Sequence, residues 1–162
     1  MAKSFSVAHH TAYPGSGPGA VAPINWVTQC LTYARSQLTA SKTVVGLGLY
    51  GYDWNVTTGA NATSVKFSEV MSLLKQHNGT SAYSAQDEAP SVTYRVSGQS
   101  HAIWYENGRS IDAKVAAIRQ GNVAGVAVWR LGQEDPRVWK CLRRTRIRPR
   151  PHRARQVEDS EC

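Results

Sequence analysis

The chain has 162 residues, 41% of them hydrophobic and 19% charged, which suits one domain with its own core and excludes a disordered chain. No apolar run approaches the ~20 residues a membrane-spanning helix needs, and Cys30, Cys141 and Cys162 are too few and too widely spaced for a disulfide framework or a metal site. The formal charge of +8 invites an anionic partner, but half of it lies after Lys140, where seven arginines fall between Cys141 and Arg155.

The amino-terminal ten residues contain no apolar core of about 7–15 residues, so no secretory signal is expected. Phe5 to Ala8 reads as a brief strand ending at His9 and His10. Ala12 to Pro23 is rich in Gly and Pro and reads as a loop. Asn25 is placed to cap a helix carrying Trp26, Val27, Cys30, Leu31, Ala34 and Leu38 on one face.

Thr43 to Leu49 reads as a strand buried on both faces and running straight into Tyr50-Gly51-Tyr52-Asp53-Trp54. The glycines within it weaken a strand unless a neighbouring backbone or a ligand approaches closely. From Asn55 to Asn107 the character changes to a small α+β insertion. It holds a polar loop, a short amphipathic helix with Phe67, Val70, Met71 and Leu74 ended by Asn78-Gly79, and a hairpin of Val92–Val96 and His101–Tyr105 around Ser97-Gly98-Gln99.

Ser110 then reads as the cap of a helix bearing Ile111, Val115 and Ile118 and closed by Gly121. Gly125 to Trp129 reads as a second strand buried on both faces, with Trp129 at its carboxyl end before the polar Arg130, Gly132, Glu134, Asp135 and Pro136. Strand, helix, strand with an insertion in the crossover is a βαβ plan, and parallel folds bind ligands at the carboxyl ends of such strands. Trp129 is either a core plug or the floor of a ligand site. Two strands ending in aromatics would suit a sugar, with Asp53 and Arg130 as polar neighbours. The tail from Cys141 lacks apolar periodicity and is expected to be disordered. Its arginines could serve nucleic acid, but no aromatic interleaves them for base stacking, so a solvated run is favoured.

Several strings taken together resemble glycoside hydrolase family 18. Gly15-Ser-Gly-Pro-Gly19 with Ala22-Pro-Ile-Asn-Trp26, and Val45-Gly-Leu47 with Leu49-Tyr-Gly-Tyr-Asp-Trp54, resemble the region from the sixth to the seventh strand. Trp104-Tyr-Glu106, Arg109-Ser-Ile111 with Ala113-Lys114, and Gly125 through Trp139 resemble the region from the insertion to the eighth strand. The branch resembled is that of LysM-associated spore-cortex and peptidoglycan N-acetylglucosaminidases, which is itself similar to chitinases.

The resemblance implies an α/β fold, a partial (β/α)₈ TIM barrel of about strands 6 to 8 with a small α+β insertion between strands 7 and 8. The expected domains are 1–54 and 108–140 as barrel portions, 55–107 as insertion, and 141–162 as tail. The family mechanism uses one glutamic acid as proton donor and the substrate's own acetamido oxygen as nucleophile. That glutamate closes an Asp-x-x-Asp-x-Asp-x-Glu string, and this chain has none.

Trp129 matches the tryptophan that floors the subsite of the cleaved sugar, and Tyr50, Asp53 and Trp54 match rim positions. His9 and His10 stand where the family has the Tyr-Asp pair that holds the acetamido group. Glu134 and Asp135 are expected as loop caps. The implied function is that of a truncated family 18 protein, related to enzymes hydrolysing β-1,4 bonds in N-acetylglucosamine polymers but inactive alone. The alternative is a non-catalytic carbohydrate-binding or interaction module, and nucleic-acid binding through the tail ranks last. The expected partners are an N-acetylglucosamine-containing glycan and, through open strands, a second copy or the missing barrel strands, with no cofactor, metal or membrane. The family implies a bacterial spore or cell envelope.

Overall fold

The computed structural model describes residues 3–6 and 17–144. Along the chain run β1 (Lys3–Ser6), α1 (Ile24–Gln37), β2 (Thr43–Gly48), β3 (Tyr50–Asn55), β4 (Thr63–Lys66), α2 (Phe67–Gln76), β5 (Thr80–Ser84), β6 (Ala89–Val96), β7 (Gln99–Trp104), α3 (Gly108–Gln120), β8 (Gly125–Trp129) and α4 (Val138–Arg144). They build two sheets. A parallel sheet has the order β1-β2-β8, and an antiparallel sheet has the order β4-β3-β7-β6-β5. The described residues form no closed barrel.

The expected βαβ plan is present: β1–α1–β2, then β2 to β8 through the antiparallel unit and α3, with Val44 opposite Gly125 and Gly48 opposite Trp129. Burial along β2 alternates, which corrects the two-sided reading. Val45, Leu47 and Leu49 face the helices and join Val27, Leu31, Ile111, Val115 and Ile118 in one core. Val126 and Val128 pack against that core from β8. The opposite face carries only Val44, Gly46 and Gly48 from β2, with Gly125, Ala127 and Trp129 paired beside them, and Ala127 is exposed. A continuous apolar run cannot distinguish two covered faces from one, and here helices cover one.

The second correction concerns Tyr50–Asn55. These residues are not a continuation of β2 but a central strand of the antiparallel sheet, bonded to β4 and β7. Residues 50–54, expected in the first barrel portion, pair within the antiparallel sheet. Its turn is tighter than expected: Ser97 (φ 51°) and Gly98 (φ 76°) alone connect β6 to β7, the two-residue arrangement that matches strand twist. One face of this sheet is covered by α2, with Val65, Val92, Tyr94, Ile103 and Tyr105 beneath Val70.

Helix starts also differ from expectation. The residue preceding α1 is Pro23, and Asn25 lies inside the first turn with its Oδ1 accepting from the Trp26 N–H at 2.7 Å. Asn107 caps α3, accepting from Ser110 N–H at 3.0 Å, while Ser110 Oγ accepts from Asn107 N–H at 2.9 Å. Ser110 is thus the third residue of a reciprocal box rather than its cap. Cys141–Arg144, expected to be disordered, complete α4, whose Val138 is buried in the core. The tail beyond Arg144 lies outside the described residues.

Gly51 marks a close approach of β3 to the end of β7. A Cβ there would lie 2.5 Å from both the Trp104 carbonyl oxygen and Tyr105 Cβ, so backbone would have to move. Gly51→Ala is expected to destabilise the protein by roughly 1–3 kcal/mol, read as a lower midpoint in denaturant unfolding. An unchanged midpoint would show that β3 and β7 are not packed as described.

Candidate functional site

Trp129 ends β8 with 67% of its surface exposed. Its carbonyl accepts from the Leu49 N–H at 2.7 Å, extending the β2–β8 ladder one step beyond Gly48. A Cβ on Gly48 would lie 2.9 Å from Tyr50 Cε1, so the close approach expected at this glycine is made by the Tyr50 ring. Tyr50 therefore lies over the residue paired with Trp129. Burial, then the neighbouring Tyr52 and Glu106, push the Tyr50 hydroxyl above its ordinary pKa.

Strand alternation separates the expected rim residues. Tyr50, Tyr52 and Trp54 share the face of β3 turned away from α2, in edge-to-face contact at centroid distances of 5.6 and 5.8 Å. Trp104 is paired with Tyr52 on that same face. Asp53 points to the α2 side, where its Oδ2 accepts from the Tyr94 hydroxyl at 2.5 Å and its Oδ1 lies 3.1 Å from His101 Nδ1. It is a polar anchor beneath α2, not a partner of Trp129. Trp54 is 2% exposed and offers no surface to a ligand. Of the expected site residues, Trp129 and Tyr50 come together; His9 and His10 lie outside the described residues.

Tyr52 and Trp104, both half-buried on that face, are not among the site residues expected from the sequence. The i, i+2 spacing of Tyr50 and Tyr52 was the available signal for the first. Trp104 required knowing the β3–β7 register. Arg130 and Leu131 follow Trp129, Leu131 being 68% exposed.

The loop after β8 fastens this mouth. Glu134 and Asp135 are caps, as expected. Glu134 Oε2 accepts from Gly132 N–H at 2.7 Å and Oε1 from Trp139 Nε1–H at 3.1 Å. Asp135, buried, accepts from Gly108 N–H at 2.8 Å at the start of α3, and from the Arg137 N–H and Nε–H. Burial alone would raise the Asp135 carboxyl. The bonds from the Arg137 side chain, Gly108 and the Arg137 backbone outweigh it and hold the group below its ordinary value.

The junction between the units is ionic and dry. Glu106 and Lys114 are 3% and 1% exposed. Lys114 Nζ donates to both Glu106 oxygens at 2.7 and 2.6 Å, and Ser110 Oγ donates to Oε2 at 2.6 Å. Among the described residues no group of three or more His, Cys, Asp or Glu could hold a metal ion.

Residues 2–134 match the sequence profile of the glycosyl hydrolases family 18. The chain belongs to this family. It is 34% identical over 134 residues to the cortical fragment-lytic enzyme of Bacillus subtilis (strain 168), a match covering 80% of this chain and 31% of that protein. Its fold is similar to the spore cortex-lytic enzyme SleL of Bacillus megaterium QM B1551, with a TM-score of 0.74 and 32% identity over 82% of this chain and 32% of that one. It is also similar to a chitinase from Chromobacterium violaceum ATCC 12472, with a TM-score of 0.76 and 26% identity over 85% and 43% of the two chains. This family 18 chain spans about a third of the length of the cortex-lytic relatives it matches, covering their carboxyl-terminal part.

The lowered Asp135 value sets a pH dependence. Its contribution to stability is fully present above the unfolded carboxyl value of about 3.9 and is lost as pH falls through the lower folded value. Asp135→Asn is expected to flatten the fall in stability below about pH 4, measured by urea midpoints across pH. An identical acid slope in the variant would remove Asp135 from that role.

Proposed function

We propose that this chain is the glycan-cradling part of a family 18 glycoside hydrolase, corresponding to about strands 6 to 8 of the barrel and the insertion. In this reading it binds N-acetylglucosamine-containing oligosaccharide and does not hydrolyse it alone. The observation that carries the reading is the exposed Trp129 at the carboxyl end of a parallel strand, with Tyr50 set over the paired Gly48. A sugar presents an apolar ring face to such a floor. Tyr52 and Trp104 extend the aromatic surface as a wall above it.

A proton donor for the glycosidic oxygen is harder to supply. Asp53, Glu69, Asp87, Glu88, Glu106, Glu134 and Asp135 are each held by a hydrogen bond to a neighbouring group. Asp112 stands on the exposed side of α3. Losing a general acid costs roughly 10²- to 10⁴-fold in rate. The free edges of β1 and β8 would take further barrel strands or a second copy.

A fluorogenic N-acetylglucosamine oligomer should show no turnover above background. An unlabelled oligomer should perturb tryptophan fluorescence, and Trp129→Ala should weaken its binding roughly 30-fold, the ~2 kcal/mol of a buried aromatic anchor. Hydrolysis abolished by one carboxylate substitution would show that the chain carries its own acid. Undiminished binding by Trp129→Ala would move the site elsewhere.

A further inference from the structure

The chain leaves the parallel sheet at Leu49 and Tyr50 and returns at Tyr105 and Glu106. At that crossing Glu106 N–H donates to the Tyr50 carbonyl at 3.2 Å, one residue beyond the Leu49 bond to Trp129. The Glu106 side chain turns inward and takes three short bonds from α3, two from Lys114 and one from Ser110. Burying both ions costs several kcal/mol each before their attraction is counted. An apolar pair would fill the space at less cost. What an ion pair with three directional bonds adds is a fixed position for the strand end.

We infer that the buried Glu106–Lys114 pair is a positioning element for the glycan cradle: it clamps the returning strand to α3, and so holds the Tyr50 ring over Gly48 and the Tyr52–Trp104 wall at a set spacing from Trp129. This rests on the glycan-binding reading above. The geometry is consistent at both ends. Tyr50 is close enough to Glu106 for the carboxylate to help raise its hydroxyl pKa. The Phe67 N–H, at the start of α2, donates to the Gln133 carbonyl at 2.9 Å, tying the far side of the wall to the loop that follows Trp129. Lys114 and Glu106 touch no glycan in this scheme; they act through Tyr50.

The test is the neutral double substitution Glu106→Gln with Lys114→Met, which leaves no buried charge unpaired and is expected to keep stability near that of the parent. In the unliganded protein the nuclear Overhauser contact between the Tyr50 ring and the Gly48 α-protons should weaken. Affinity for the unlabelled N-acetylglucosamine oligomer should fall roughly three- to thirtyfold. Leu31→Val, a core change in α1 beside Gly121 at the far end of α3, serves as the control and should leave both readouts intact.

An undisturbed ring contact, or an undiminished affinity, in the folded double variant overturns the inference. Loss of the contact in a protein whose parent binds no oligomer upholds the positioning role and rejects the glycan reading instead. If the double variant does not fold, Ser110→Ala removes one of the three bonds on Glu106 and should move the same contact less; no movement there also overturns it.

Discussion

The bond from Leu49 N–H to the Trp129 carbonyl is the last rung of the β2–β8 ladder, and the mouth of the molecule is built around it. Parallel pairing puts partners on the same face, so Gly48 and Trp129 share one. A side chain at Gly48 would occupy the space of the Tyr50 ring. One step further the chain has already left for the second sheet. The register of two short strands therefore decides which residue stands beside the exposed tryptophan, and a slip of one residue would turn Trp129 into the helix-covered core.

The second sheet could not hold its attitude through that one crossing. Two peptide strands joined at a point form a hinge, although Leu49 and Tyr105 anchor the crossing in the two apolar cores. Polar bonds fix it as well: Glu106 to Lys114 and Ser110, Asp135 to Gly108, and Gln133 to Phe67. Such bonds contribute little net stability once desolvation is counted, but they are directional. Leaving either partner of the buried pair alone would cost more than the pair contributes, which keeps both residues or neither. The apolar cores on either side, one around Leu47 and Ile111 and one around Val92 and Ile103, supply the bulk of the folding free energy.

Much of this architecture is legible in the residues. The two apolar runs at 43–49 and 125–129 are neighbouring parallel strands, the amphipathic repeats are helices, and Ser97-Gly98 turns a hairpin. What was not legible follows from partners that a linear reading does not see. Burial of β2 on one face depends on the helices that pack there, and the same run would read alike between two layers. Tyr50–Asn55 looks continuous with β2 because only Leu49 separates them; the change of sheet is set by β7, some fifty residues away in sequence. Asp53 and Trp54 match rim positions together by resemblance, whereas adjacent residues in a strand face opposite ways. Asn107 displaced Ser110 as cap because the turn preceding α3 is drawn in by Asp135 at Gly108.

If the chain holds a sugar as proposed, the placement of Trp129 bears on binding rather than on the chemical step. Stacking on Trp129 would lower the energy of a bound sugar about equally before and during bond cleavage, and such uniform binding does not speed the chemical step. Acceleration needs a group whose interaction strengthens as the glycosidic oxygen gains electron density, and a proton donor is that group in this family's scheme. Asp135 and Glu134 are committed to caps, Glu106 to an ion pair and Asp53 to an anchor beneath α2. Freeing Glu106 or Asp135 to act as an acid would undo a contact that fixes the crossing. For Glu106 and Asp135, fixing the crossing and donating a proton would make opposing demands on the same side chain.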